Sequence, residues 1–247
     1  MYIQEALAGI QPLDLIFFRG HDFISRLVLR AEAHLGCDRF SHVGLVVTSE
    51  ILPNIPELES GKLYLWESTS TDKRDPVTDV EDGKRHFGVQ IRPLEDAVKV
   101  YSEGGEVTWG RLRNNPWTDI TRRNEIRKVL SDIHEQFGRR TYEANVLSLL
   151  AVVFPWLRKA RDAVDTVIID GYKLFRSWSS TLIGPPDVPV AGWLFCSELI
   201  AIVYQNLNVL DKGQDVRNMA PADFLGVRNP YPNVTSELIP LEFPKGM

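Results

Sequence analysis

Cysteine is scarce in this chain, with only Cys37 and Cys196 among 247 residues. Two cysteines build no disulfide framework, and without His or Cys at ligand spacing they build no zinc site, so the pattern fits a reducing, intracellular setting. Long apolar runs are also missing. The most apolar one, Val146–Phe154, is interrupted by Ser148 and stopped by Pro155, far short of the roughly 20 residues of a membrane-spanning helix. Residues 1–10 lack the basic stretch, apolar core and small-residue cleavage site of a secretory signal. Nor is there an excess of basic charge. The net charge is −5, and a surface that neutralises phosphates needs the opposite balance, which speaks against a nucleic-acid partner. The expectation from these absences is a soluble, intracellular protein.

What is present is apolar material for one substantial core: 44% of the residues are hydrophobic and 10% aromatic, in a length suited to a single domain. Leu13–Phe18, His42–Val47, Leu63–Ser68, Val89–Arg92 and Val107–Leu112 are short apolar or alternating runs bounded by turn residues, and they read as strands of a small antiparallel sheet. Phe23–Leu35, stopped by Gly36, reads as a helix. In Thr121–Phe137, Ile126, Val129, Leu130, Ile133 and Phe137 follow helical spacing, and Gly138 closes the segment. Residues 143–190 begin with a further apolar helix and read as a helical insertion. After the proline-rich GPPDVP segment, Cys196 opens a stretch that is helical by composition.

Three residues invite a chemical reading. A thiol at a helix start is favoured as thiolate by the helix dipole, and a nearby imidazolium adds to this, which makes Cys196 a candidate nucleophile. The competing reading is a buried structural cysteine, since Leu199, Ile200 and Val203 mark a core-facing helix. His42 stands at the start of an apolar strand, beside Ser41 and Gly44, where a titratable ring needs a partner. Glu67, in the next strand, can accept a proton from an imidazole and set its tautomer; a solvent-facing strand glutamate is the alternative. His21, His34, His86 and His134 have no metal spacing. No cofactor or metal is expected.

The segments Leu13-Asp14-Leu15-Ile16-Phe17-Phe18, Phe40-Ser41-His42-Val43-Gly44-Leu45-Val46, Trp66-Glu67-Ser68 and Phe195-Cys196-Ser197-Glu198-Leu199-Ile200-Ala201 together resemble the permuted NlpC-type papain-like proteins of the YiiX/YebB-like group. Met219-Ala220-Pro221-Ala222-Asp223-Phe224 is similar to a C-terminal segment of that family. In it the histidine strand precedes the cysteine helix, the reverse of the usual papain order, and His42 does precede Cys196. The resemblance implies an α+β, circularly permuted papain-like fold over residues 1–247, with a small antiparallel sheet packed against the cysteine-bearing helix. It also implies Cys196 as nucleophile, His42 as base and Glu67 as the third polar residue. Two departures stand out: Leu13 occupies the place of the glycine usual before the first aspartate, and the stretch Trp156–Ser180 exceeds the family minimum.

Relatives in that group are peptidases, amidases and lipid-directed acyl hydrolases, so the expected substrate is a peptide, an N-acyl compound or an acyl lipid. Cleavage of an amide bond through an acyl-enzyme is the leading expectation. A lipid thioesterase or acyltransferase is the alternative, because Val146–Leu157 followed by Arg158, Lys159 and Arg161 can lie in a membrane interface, a peripheral contact through residues 146–161. A non-catalytic binding or structural protein that keeps the fold is the reading from a different class.

Overall fold

The computed structural model describes residues 1–20, 25, 26, 29, 33, 39–70, 76–138, 196–215, 219–227 and 231–243. Its centre is one six-stranded sheet. The strands are β1 (Leu15–Gly20), β2 (His42–Val47), β3 (Tyr64–Ser70), β4 (Phe87–Pro93), β5 (Gly105–Leu112) and β6 (Thr235–Leu241). Their order is β4-β3-β2-β1-β5-β6, and every neighbouring pair is antiparallel. The protein is therefore α+β, with β1 to β4 following one another across the sheet and β5 and β6 added on the far side of β1.

β1 and β2 sit in the middle and are buried on both faces, which explains why they read as continuous apolar runs rather than as alternating ones. On one face Leu15, Phe17, Val43, Leu45 and Trp66 pack against helix α3 (Arg123–Phe137) through Ile126, Leu130 and Ile133. The same face receives helix α4 (Cys196–Asn206) through Leu199, Ile200, Val203 and Tyr204. On the opposite face Ile16, Phe18, Val46 and Leu65 meet α1 (Ile3–Leu7) and α2 (Leu94–Gly104), the latter through Leu94, Ala97 and Val98.

The expected strands and the helix ending at Phe137 are found, with boundaries moved by a few residues. At the front of α3, Ile120–Arg122 forms a 3-10 turn capped by the Asp119 side chain in place of the α-helical turn expected from Thr121. Of the expected helix Phe23–Leu35, Ser25, Arg26, Leu29 and Ala33 are described and helical. Cys37, the expected insertion at 143–190 and the segment 146–161 lie outside the described residues. Helices α1 and α2 and strand β6 have no counterpart among the expected elements. β6 carries Pro240, which an edge strand tolerates: the Pro240 carbonyl accepts the Met1 amino group on the outer side, so the missing N–H lies on the side away from β5.

At Leu13 the backbone is left-handed, with φ of 74°. This is the position where the resembling family has glycine, and a leucine there costs about 1–2 kcal/mol. Its side chain is wholly buried in the α4-facing core, which offsets the strain. The bend lets Leu13 N–H donate to Val46 O at 2.8 Å and frees Leu13 O to accept the Tyr204 hydroxyl at 2.7 Å. Asp14, next in the chain, accepts Gln11 N–H, Leu112 N–H and the Trp109 indole N–H, tying β1 to the end of β5.

Gly44 answers a different need. A Cβ there would stand 2.5 Å from Leu65 Cδ1 and 2.8 Å from Leu65 Cγ, so the glycine is required by the leucine that crosses over it on the α2 face. Gly44→Ala should lower stability by about 1–3 kcal/mol, the range for overpacking a filled core. Chemical denaturation measures it, and Gly44→Ala combined with Leu65→Ala should lose less than the two single losses added. An unchanged midpoint for Gly44→Ala would mean that Leu65 swings aside without cost.

Candidate active site

The pairing of β2 with β3 stops at Leu45↔Trp66. Beyond it β2 stays paired with β1 as far as Phe18↔His42, and β3 stays paired with β4 as far as Ser70↔Phe87. His42 and Glu67 thus lie on strand ends that are held on their outer sides and not to each other. Their side chains span the gap: His42 Nε2 lies 2.6 Å from Glu67 Oε2. Because Nε2 is engaged there, Nδ1 is the ring nitrogen left for the thiol.

Cys196 is the first residue of α4 and is almost fully buried. It shares a hydrogen bond with the His42 ring and accepts the N–H groups of Val43 and Ser197. Val46 N–H donates to Asp14 O in the β1 direction, so strand alternation turns Val43 N–H toward β3. Where a ladder carbonyl would have met it, the sulfur does. The two partners come from opposite layers: the cysteine belongs to the core beneath α3 and α4, whereas the imidazole packs against Phe18 and Tyr101 on the α2 side.

Glu67 is completely buried and its acceptor sites are filled. Arg92 donates to Oε1 through Nε at 2.7 Å and through Nη2 as well. Tyr101 donates its hydroxyl to Oε2 at 3.2 Å and exchanges a hydrogen bond with Thr69 Oγ1. The Tyr101 ring stacks on the imidazole, with 5.6 Å between centroids and 28° between planes, and Arg92 lies over the same ring.

These contacts set the charges. Burial would push the Cys196 thiol up, yet the facing imidazolium and the two backbone N–H groups hold it below its ordinary value. Burial opposes a charge on His42 too, but the thiolate and then Glu67 raise it from 6.5 to about 10. For Glu67 burial is outweighed by Arg92 and His42, and the carboxyl stays below its usual range. The arrangement favours a thiolate–imidazolium pair backed by a carboxylate.

The structure therefore brings Cys196, His42 and Glu67 together. No family model matches the chain, and no curated protein matches its sequence. Among solved structures it is similar to the metalloprotein YiiX of Escherichia coli O157:H7, with 15% identity over 95% of this chain and 98% of that one and a TM-score of 0.43. Among the described residues of this chain, no group of three His, Cys, Asp or Glu side chains is placed to hold a metal ion. No helix among them is long and apolar enough to cross a membrane.

Arg92 and Tyr101 are the site residues that sequence reasoning missed. Alternation in Val89–Arg92 does set Gln90 and Arg92 on the face opposite Val89 and Ile91, and Leu94, Ala97, Val98 and Tyr101 have helical spacing. Neither pattern says that this face meets Glu67. His86 and His134 pair with Asp82 and Glu81.

The charge pair has a distinctive linkage to stability. His42, raised in the fold, stabilises fully below 6.5 and loses this as pH rises through about 10. Cys196, lowered in the fold, stabilises fully above 9.0 and loses this as pH falls. Between 6.5 and 9.0 the folded and unfolded chains hold the same single proton, on His42 in one and on Cys196 in the other, so the contributions cancel. Relative to a Cys196→Ala/His42→Phe variant, wild-type stability should be flat across that window and decline on either side. Thermal melting of both proteins against pH measures the profile. Because a neutral thiol–imidazole pair also holds one proton, ionisation is read from the thiolate's ultraviolet absorbance at neutral pH. That absorbance should be present in wild type and lost in Cys196→Ala, and its absence in wild type would show that the pair is not ionised.

Proposed function

We propose that this protein is a cysteine-nucleophile hydrolase that cleaves an amide bond, peptide or N-acyl, through an acyl-enzyme. The observation that carries the reading is the continuous hydrogen-bonded row from the Cys196 sulfur through His42 to Glu67. The chain order of histidine strand before cysteine helix, and the antiparallel sheet packed against that helix, support a circularly permuted papain-like fold.

In the first half-reaction the Cys196 thiolate adds to the substrate carbonyl carbon, and the C=O electron pair moves onto oxygen. Backbone N–H groups beside the sulfur, that of Cys196 among them, are the donors for that oxyanion. Collapse of the adduct breaks the C–N bond, and His42 hands its proton to the departing amine. A thioester remains. Water then gives a proton to His42 and attacks the thioester carbon, and Cys196 leaves as thiolate. Glu67 holds the imidazole with Nδ1 toward sulfur throughout and compensates its charge.

The test is reaction of the full chain with an N-acyl anilide and an acyl ester, with mass spectrometry to locate the acyl group. Acylation should map to Cys196, disappear in Cys196→Ala, and slow by about 10²–10⁴-fold in His42→Ala. Turnover of the anilide supports the amide reading, whereas turnover of the ester alone moves the assignment to the lipid-directed alternative. A Cys196→Ala variant that still hydrolyses the anilide, or wild-type protein that takes up no acyl group, would overturn the proposal.

A further inference from the structure

Four ionisable groups lie in one buried row, Cys196, His42, Glu67 and Arg92, and the outermost is the one with no role in the chemistry above. Arg92 is completely buried, as is the carboxylate it grips. We infer that Arg92 is a positioning residue of this site: by neutralising Glu67 it leaves the charge of the His42 imidazolium to the Cys196 thiolate. The inference rests on the reading of Cys196 as nucleophile.

Charge counting carries it. A group of charges shielded from water is most stable when its members sum to zero. With Arg92 present, guanidinium and carboxylate cancel, so thiolate and imidazolium form a second pair with no charge left over. Without Arg92, the row of thiolate, imidazolium and carboxylate carries a net negative charge in the core, and one proton restores neutrality. Of the two acceptors, the sulfur takes it, because a thiol is a far weaker acid than a carboxyl group. The imidazolium is then paired with Glu67, and the nucleophile is switched off.

Geometry adds a second contribution. Arg92 holds Oε1 through two N–H groups, which fixes the carboxylate plane so that Oε2 faces the ring.

Among the described residues the surroundings supply no substitute cation. On β4, Gln90 is buried directly across from Glu67 with neither amide atom bonded, and it is neutral. From α2 the group facing the row is Tyr101, while Glu95, Asp96, Lys99 and Glu103 are exposed or turned to the outer face. β3 contributes the neutral Thr69, which bonds Tyr101. On β1, Arg19 is half-buried and donates to Arg39 O. α4 brings Glu198 in its first turn, an anion. Among the described residues, the cations acting on Glu67 are Arg92 and His42.

The experiment is the rate of Cys196 alkylation by iodoacetamide against pH, with site mapping by mass spectrometry, in the full chain. Wild-type Cys196 should titrate below an ordinary thiol; titration like an ordinary thiol would overturn the nucleophile reading itself, before any variant is compared. In Arg92→Met the apparent thiol pKa should rise by about one unit or more, with alkylation at pH 7 slowed about tenfold. In Glu67→Gln/Arg92→Met both charges leave together, and the profile should return toward wild type. A purely structural arginine gives no such recovery, so a double variant as impaired as Arg92→Met, or an Arg92→Met profile equal to wild type, overturns the inference. If Arg92→Met does not fold, Arg92→Lys carries the test. Its retained charge should keep the thiol titration near wild type, and a shift to that of an ordinary thiol in the folded protein overturns the inference.

Discussion

A glutamate sealed away from water must be surrounded by donors, and the placement of Glu67 governs much else in this molecule. An uncompensated carboxylate in a core costs far more than a protein of this size can spare. Compensation comes from Arg92, His42 and Tyr101, each on a different element. The register of β3 on β4 sets Glu67 opposite Gln90 and Leu65 opposite Arg92. Arg92 is therefore the diagonal neighbour of Glu67, within reach of a long side chain. Helix α2 follows β4 without a linker and carries Tyr101 back to the same carboxylate. Sheet register and helix direction thus converge on one buried charge.

The early end of the β2–β3 ladder is the second constraint. Pairing that continued past Leu45↔Trp66 would occupy the N–H of Val43 and close the gap that His42 and Glu67 now span. As it stands, the sulfur from one layer and the imidazole from the other meet at the opening. The position of α4 depends on more than its first residue. Its apolar residues fill the core above β1 and β2, and the Tyr204 hydroxyl bonds to the carbonyl of the left-handed Leu13. The strain at Leu13 and the placement of the cysteine helix are in this way parts of one local arrangement. A glycine at this position would relieve the strain and forfeit a buried leucine.

Several elements are legible in the amino-acid order alone. The runs LIFF and HVGLVV read as strands because both their faces are buried, and the Ile126, Leu130, Ile133 pattern reads as a helix because only one of its faces is. Cys196, His42 and Glu67 are each legible as candidates, on helix-start placement, an apolar strand setting and proximity in the next strand. Helix α2 is harder to see. Its start follows a proline, its outer face is Glu95, Asp96, Lys99 and Glu103, and it is flanked by strands. β6 is hidden by Pro240 and by an alternation too weak to distinguish an edge strand from a loop.

What the sequence determined by itself was local: the periodicities that make strands and helices, the stop at Gly138, the helical stretch that follows Cys196, and the side chains able to carry charge. These follow from interactions between residues a few positions apart. Only the tertiary structure decided that β2 and β3 separate beyond Leu45, that Glu67 is sealed against Arg92, and that the ring of Tyr101 lies on His42. Each of those depends on strand register and layer packing between segments distant in the chain. Such pairing is selected by the summed burial of two core faces and by the need to match every buried charge, and no window of neighbouring residues contains that sum.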